Sequence, residues 1–463
     1  MTAALSAHKS LHFRQALLPN GWQADVRLTT RDGCILSVDS DVKPVAAEEC
    51  HAVGLPGVSN VHSHAFQRGM AGFTEARGTS SDSFWTWRET MYRFVDRVTP
   101  DLLRTIAALA YVEMLESGFT RVGEFQYLHH DHDGAHYADP AEMSGAIAAA
   151  ARASGIGLTL LPVFYAHSGF GGLAPQVSQR RFINDSDGFA RLFAAAQSKV
   201  AVLPDAIVGV APHSLRAIVP EELNMLEVLG AAGPVHIHIA EQVQEVQDCI
   251  AWSGARPVAW LLDHAAVDDR WCLVHATHMT SAETKDLVKS GAVAGLCPIT
   301  EANLGDGIFP AKTFIASGGR FGIGTDSNVR IDMTEELRLL EYGQRLARRG
   351  RNILAGGPRR STGEHIYSAA VNGGAQALGV TAGLSAGKSA DIISLDLDHP
   401  SLVHREGSAL LDSLIFAAGR EAIDCVWRRG EKVVRAGRHI ARDAIVSDYR
   451  AALTEVLVDR TTA

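Results

Sequence analysis

An α/β chain folded as a (β/α)8 TIM barrel, with a small β-sandwich formed from both chain ends, is the architecture this sequence predicts. Eight short apolar runs alternate with helical stretches, β-like runs bracket them at both ends, and histidine or aspartate closes several of the eight.

The runs are, in order, GLPGVSNVH, FTRVGEF, IGLTLLPVF, AIVGVAPHS, PVHIHIA, WCLVHAT, AVAGLCP and RFGIGTD. Between the first two, Leu102 to Glu116 carries apolar residues three and four apart, the spacing of an amphipathic helix. Ahead of the runs, ADVRLTT and CILSVDS alternate with turn residues, and behind them GKSADIISLDLD and CVWRRGEKVVRAGR do the same. The expected division is residues 1–54 for the first part of the sandwich, 55–385 for the barrel, and 386–463 for the second part plus a terminal helix.

A chain of 463 residues, 46% apolar and 21% charged, can bury a large core, and barrels of this class reach several hundred residues as one unit. The net charge is -9 and the one basic run (Arg345, Arg348, Arg349, Arg351) reads as a solvated helix face, which argues against a nucleic-acid partner. No uninterrupted apolar stretch reaches membrane-spanning length and Met1 to Arg14 lacks a long apolar segment, so no membrane partner and a cytoplasmic location are expected. The six cysteines form no CxxC pair, which points away from a thiolate metal site.

The chemistry concentrates at strand ends. His62 and His64 lie two apart at the end of the first run, so both imidazoles face one side with Cβ atoms about 6 to 7 Å apart. In HIHIAEQ, His238 is nearer the rim than His236, which reads as a core histidine. Glu241, just past the strand, is free for proton transfer. His275 closes the sixth run. Asp326 closes the eighth, where Gly322 and Gly324 let backbone and ligand approach closely. Four strand ends donating nitrogen or oxygen ligands from one rim describe a catalytic face, because barrel active sites are built at the C-terminal ends of the strands. The set His62, His64, His238 and Asp326 contains no sulfur and suits zinc, iron or manganese, with a single zinc ion the expectation. His129, His130, His132 and His136 lie among Asp131, Asp133 and Gly134 without regular spacing and read as a polar loop.

This constellation resembles the amidohydrolase superfamily, whose pattern is HxH after strand one, histidines after strands five and six, and aspartate after strand eight. The resemblance covers nearly the whole chain, since LSAGKSADIISLD is similar to that superfamily's return to its sandwich. Binuclear members carry a carboxylated lysine after strand four, where this chain has no lysine after Lys199, so the resemblance implies one metal ion and hydrolytic removal of ammonia from a C=N carbon. The strings VHSHAFQRGMAG, SFWTWRE, GEFQYLHH, VAPHSLRA, HIHIAEQ and LCPITEANLGDGIFP are similar to the formimidoylglutamate deiminase family of histidine degradation. That resemblance implies Gln67, Arg88, Tyr127, His213 and Arg216 as substrate-binding residues and Glu241, His275 and Asp326 as catalytic ones. It also implies a small dicarboxylate as the partner and a homodimer as the assembly. Two arginines are suitable partners for two carboxylates, because the guanidinium fork binds a carboxylate through parallel hydrogen bonds. Glu241 is expected to protonate the imino nitrogen, Asp326 to orient the nucleophile, and His275 to stabilise the tetrahedral intermediate. The roles of Ser327 and Asn328 are not assigned. Two other readings stand beside this one: a nucleobase or aminotriazine deaminase, which Trp85 and Trp87 would suit, and a barrel that binds without catalysing.

Overall fold

The structure is a computed structural model that describes residues 8–46, 48–76, 84–357 and 360–458. Its centre is a parallel sheet whose hydrogen-bonded order, by barrel strand, is five, six, seven, eight, one, two, three and four. The strands are Val58–Ser63, Phe119–Gln126, Gly157–Phe164, a fourth made of the pieces Ile207–Val208 and Ala211–Pro212, then Val235–Ile239, Trp271–His275, Val293–Leu296 and Arg320–Ile323. All eight predicted runs are strands. The fourth is broken at Gly209, where an added Cβ would lie 2.4 Å from the Pro234 carbonyl oxygen. Parallel bridges Val210 to Val235 and Ser214 to His238 join the fourth strand to the fifth and close the barrel.

The first two strands flank the helix Pro100–Glu116, which begins two residues earlier than the periodicity of 102–116 suggested because the Thr99 side chain accepts from the Leu102 amide and Pro100 occupies the first turn. Strand interiors are buried on both faces, which explains why they read as apolar runs rather than alternating ones.

Strands from both chain ends form one eight-stranded sheet, with Glu49–Pro56 paired to Ile392–Leu395 across the chain's two ends. Phe13, Leu28, Ile35, Ile392 and Trp427 bury a second apolar core there. Its first strand, Lys9–Leu18, escaped the sequence reading, because KSLHFRQALL has no strict alternation and its burial shows none either. The helix Arg442–Val458 ends the described chain. No helix among the described residues is long and apolar enough to cross a membrane.

The histidine tract is a loop, as expected, but not a solvated one throughout. His129 and His130 are buried, their Nε2 atoms 2.8 Å from the carbonyls of Val163 and Ile183. Buried Arg181 donates to the carbonyls of His130, Val95 and Val98, tying this loop to the end of the helix Phe84–Val95. That helix covers the catalytic end of the barrel.

Candidate active site

The ends of barrel strands one, five and eight bring His62, His64, His238 and Asp326 together, with one ligand atom from each within 4.8 Å of all the others. His62 Nε2 stands 3.1 Å from His64 Nε2 and 3.0 Å from His238 Nε2. Asp326 Oδ1 lies 3.3 and 3.2 Å from the same atoms of His62 and His64. Three ring nitrogens and a carboxylate oxygen cannot all satisfy one another by hydrogen bonding. Their spacing is that of donors around one ion, since bonds of about 2.0 to 2.1 Å in a tetrahedron place ligands about 3.3 Å apart.

The surroundings fix which ring nitrogen points inward. His64 Nδ1 lies 3.0 Å from the Phe125 carbonyl and His238 Nδ1 3.0 Å from the His213 carbonyl, so both Nδ1 atoms carry the proton and both Nε2 lone pairs face the cluster. Burial pushes the His62 imidazole down to about 3 and His238 well below its ordinary value. Burial works against the ionised Asp326, but the His62 and His64 rings beside it hold its carboxyl well below the usual range. Neutral imidazoles and an ionised carboxylate are the states a metal ion requires of its ligands. The four residues therefore fit a metal ion.

Local backbone explains how the strand ends aim these groups. Ala240, His275, Ala276, Asp326 and Asn328 all have φ between 44° and 66°, a left-handed conformation that costs of order 1 to 3 kcal/mol for a non-glycine residue and clusters at functional sites. Gly324 is the close approach the sequence suggested: a Cβ there would lie 2.8 Å from the His62 carbonyl oxygen.

Beside the ligand cluster, His275 Nε2 faces Glu241 Oε1 at 3.6 Å and Asp326 Oδ2 at 3.9 Å. Its Nδ1 faces Glu301 Oε1 at 3.4 Å. Burial opposes a charge on His275, yet Glu241, Glu301 and Asp326 outweigh it and push the imidazole up to about 10. Burial pushes the Glu241 carboxyl up to about 7 against the pull of His275, which suits a group that both takes and gives a proton at neutral pH.

Over these groups lies a cavity with about 60 Å³ of free volume, whose walls include Gln67, Arg88, Tyr127, His213 and Arg216 as well as His64, His238, Glu241, His275 and Asp326. All five carried-over substrate positions thus share one space with the ligand cluster. Gln67 donates to the Tyr127 hydroxyl at 3.0 Å. Burial and the nearby Arg216 hold His213 neutral, its imidazole well below the ordinary value. Arg88 and Arg216 both place Cζ over the Trp85 ring, at 4.5 and 6.0 Å from its centroid. Arg216 is buried, its Nε has no hydrogen-bond partner, and among the described residues it forms no ion pair. Its burial is outweighed by the charges of Glu245 and Glu241, but neither carboxylate bonds it directly, which leaves its donors suited to an incoming anion.

Other positions take different places. Ser327 Oγ lies 2.9 Å from Thr300 Oγ1, and the Asn328 amide donates to Ser63 Oγ and to the carbonyls of His64 and Asp326, each at 3.1 Å. Both are behind the cavity, where Asn328 ties strand eight to strand one. His236 Nε2 meets the Ala377 carbonyl at 2.7 Å and is a core histidine, as expected. Lys199 pairs with Asp139 on the helix Ser186–Val200, away from the cluster.

The sequence reading missed Glu301, Asp306, Tyr92, Tyr165 and Phe182. The last three line the cavity from loops and the covering helix, where no periodicity marks a residue. Glu301 and Asp306 lie within LCPITEANLGDGIFP, a string noted only as a whole. Glu301 Oε1 also accepts from the Cys297 amide at 3.0 Å, so its carboxylate is fixed before it meets His275. Substituting Glu301→Ala should lower turnover about 10- to 100-fold, the usual effect of losing the partner behind a site histidine. KM should change little, and an unchanged turnover would show that His275 needs no such support.

Residues 53–433 match the amidohydrolase family, and residues 8–52 match the N-terminal domain of formimidoylglutamate deiminase HutF. The chain is 50% identical over 446 residues to the formimidoylglutamate deiminase of Pseudomonas aeruginosa, covering 96% of this chain and 98% of that one. It is 27% identical to the 8-oxoguanine deaminase of the same organism, over 95% of this chain and 96% of the other. An amidohydrolase from Brucella melitensis superposes with a TM-score of 0.94 at 54% identity, covering 97% and 100% of the two chains.

Proposed function

This chain belongs to the amidohydrolase family, and from that premise we propose that it hydrolyses N-formimino-L-glutamate to N-formyl-L-glutamate and ammonia, the deimination step of histidine degradation. One observation carries the choice of substrate within the family. Two guanidiniums, one of them buried and unpaired, face the cavity that holds the ligand cluster, and the substrate brings two carboxylates. A nucleobase would leave those charges unanswered, although Trp87 and Phe84 in the same wall would stack on one.

His62, His64, His238 and Asp326 would hold the metal ion, proposed as zinc, with a nitrogen-and-oxygen donor set that also suits iron or manganese. A divalent ion supplies Lewis-acid activation of water, making a nucleophile available at neutral pH. Arg88 and Arg216 bind the two carboxylates and, with Gln67, Tyr127 and His213, set the formimidoyl carbon against the strand ends. Asp326 orients the attacking water. Glu241 takes the proton that water gives up and delivers it to the imino nitrogen. His275, held charged between Glu241, Glu301 and Asp326, stabilises the oxygen of the tetrahedral intermediate. When the intermediate collapses, its hydroxyl proton passes to the amino nitrogen, the C–N bond breaks, and the nitrogen leaves as ammonia. A homodimer in the cytoplasm completes the proposal, on the family resemblance alone.

The test is ammonia release by the purified, zinc-loaded protein from N-formimino-L-glutamate, with guanine, cytosine and N-guanidino-L-glutamate alongside. Release from the first alone is expected, and release from a nucleobase instead would overturn the dicarboxylate reading. Replacing Arg88 or Arg216 by methionine should raise KM about 10- to 100-fold, because a hydrogen bond between charged groups contributes about 1.5 to 3 kcal/mol. An unchanged KM in both variants would remove the arginine clamps from the account.

A further inference from the structure

Beside the ligand cluster lies a second group of titratable side chains: Glu241, His275 and Asp306 each place an atom within 4.8 Å of the other two. Asp306 sits in the turn that follows the helix Pro298–Leu304 and is only 4% exposed. Its Oδ1 accepts from the Gln242 amide, while its Oδ2, fully buried, has no hydrogen-bond partner. It is not among the residues that line the substrate cavity. An unpartnered carboxylate oxygen buried to this degree is expensive, and its position beside two other carboxylates, Glu241 and Glu301, makes it more so.

Charge balance sharpens the point. Around His275 stand Glu241, Glu301, Asp306 and Asp326; His62 and His64 face Asp326, the His278 ring meets only the Asp306 carbonyl, and among the described residues His275 is the basic side chain that faces Glu241 and Glu301. Arg88 and Arg216 are given over to the substrate's carboxylates in the reaction proposed above. Asp326 is given over to the ligand cluster. The remaining three carboxylates therefore exceed the positive charge beside them and require either protons or a small cation.

We propose that Glu241 and Asp306 wall a subsite for the ammonium ion, which receives the leaving nitrogen after the C–N bond breaks. The inference rests on the deiminase reading, because that reaction generates the ion inside the site. Carboxylate oxygens no more than 4.8 Å apart can be spanned by one nitrogen that donates to each at about 2.8 Å, the length of a charge-assisted hydrogen bond. In the final step the hydroxyl proton of the intermediate moves to the amino nitrogen and the electron pair of the C–N bond leaves with it, giving N-formyl-L-glutamate and ammonia. Ammonia then takes the proton of the Asp306 carboxyl and becomes ammonium, held between two ionised carboxylates. A solvent proton restores Asp306 once the ion departs. Burial beside Glu241 pushes the Asp306 carboxyl up to about 8, so the proton is in place before the leaving group arrives.

The experiment is inhibition of the zinc-loaded enzyme by ammonium chloride at constant ionic strength, with sodium chloride as the control salt. Ammonium should inhibit and sodium should not. In the Asp306→Asn variant, which keeps an acceptor for Gln242, the ammonium inhibition constant should rise at least about 10-fold, the loss of one charge-assisted bond. Inhibition by N-formyl-L-glutamate, which does not occupy this subsite, should move by less than twofold. An ammonium constant equal in the two proteins would overturn the subsite, as would an enzyme indifferent to ammonium. Should the variant fail to fold, crystals of the unaltered enzyme soaked in thallium(I), a heavy-atom substitute for ammonium, decide the matter. Anomalous density between Glu241 and Asp306 is expected, and its absence there at saturating thallium defeats the proposal. A chain that releases no ammonia from N-formimino-L-glutamate would instead refute the deiminase reading itself, so the two failures are told apart.

Discussion

Glu241→Gln should abolish almost all turnover while leaving metal content intact. The carboxylate is buried, three residues beyond His238, and it faces His275 rather than the ligand cluster. Glutamine preserves shape and fills the same space, but it can neither accept the proton of the attacking water nor return it to the imino nitrogen. General acid–base work of this kind contributes about 10² to 10⁴ in rate, so kcat should fall by that factor with KM altered only slightly. The measurement is a steady-state assay paired with metal analysis of the same preparation. Turnover within a few-fold of the unaltered protein would exclude Glu241 from proton transfer. Loss of metal together with activity would move Glu241 into the ligand set.

Removing Asp326 should have the other large effect, for a different reason. Its Oδ1 closes the ring of donors against His62 and His64, and it is the one carboxylate among the four ligands. Asp326→Ala should give a protein with little bound metal and no measurable deimination. Thermal stability should also drop, because three buried imidazoles then lose the ion and the anion that reconcile their lone pairs, and because metal that binds only the folded state stabilises it by mass action. Calorimetry of the unaltered protein with and without a chelator gives the reference. A variant that keeps stoichiometric metal would show that the three histidines suffice, and would leave Asp326 with only its role toward water.

The barrel and its ligand ring were legible because both are written in local order. Several of the eight apolar runs end on histidine or aspartate, and HxH, HxH, His and Asp fall at the ends of strands one, five, six and eight, where a barrel gathers its active groups. The five substrate positions were legible only through resemblance, since nothing in the spacing of Arg88 or Arg216 distinguishes them from surface arginines. What escaped is long-range. Tyr165 and Phe182 reach the cavity from a loop, and Glu301 matters through a contact with His275, 26 residues earlier in the chain. The opening strand Lys9–Leu18 hid because both of its faces are partly covered, Leu11, Phe13, Ala16 and Leu18 joining the small core and Leu17 the large one, so no alternation survives.

The joint between the fourth and fifth strands has a bearing on how the molecule breathes. It is a short weld in the hoop: beside the bonds of Val210, the His213 carbonyl accepts both the His238 amide, at 3.1 Å, and the His238 ring, at 3.0 Å. One oxygen thus helps to clasp the hoop and aims a ring of the ligand cluster, on a residue whose own side chain lines the cavity. Any loosening of that clasp would slacken the grip on the ion and misdirect the substrate's wall in one motion, so emptying the centre should be felt first as faster amide exchange at His238, well before the rest of the hoop yields.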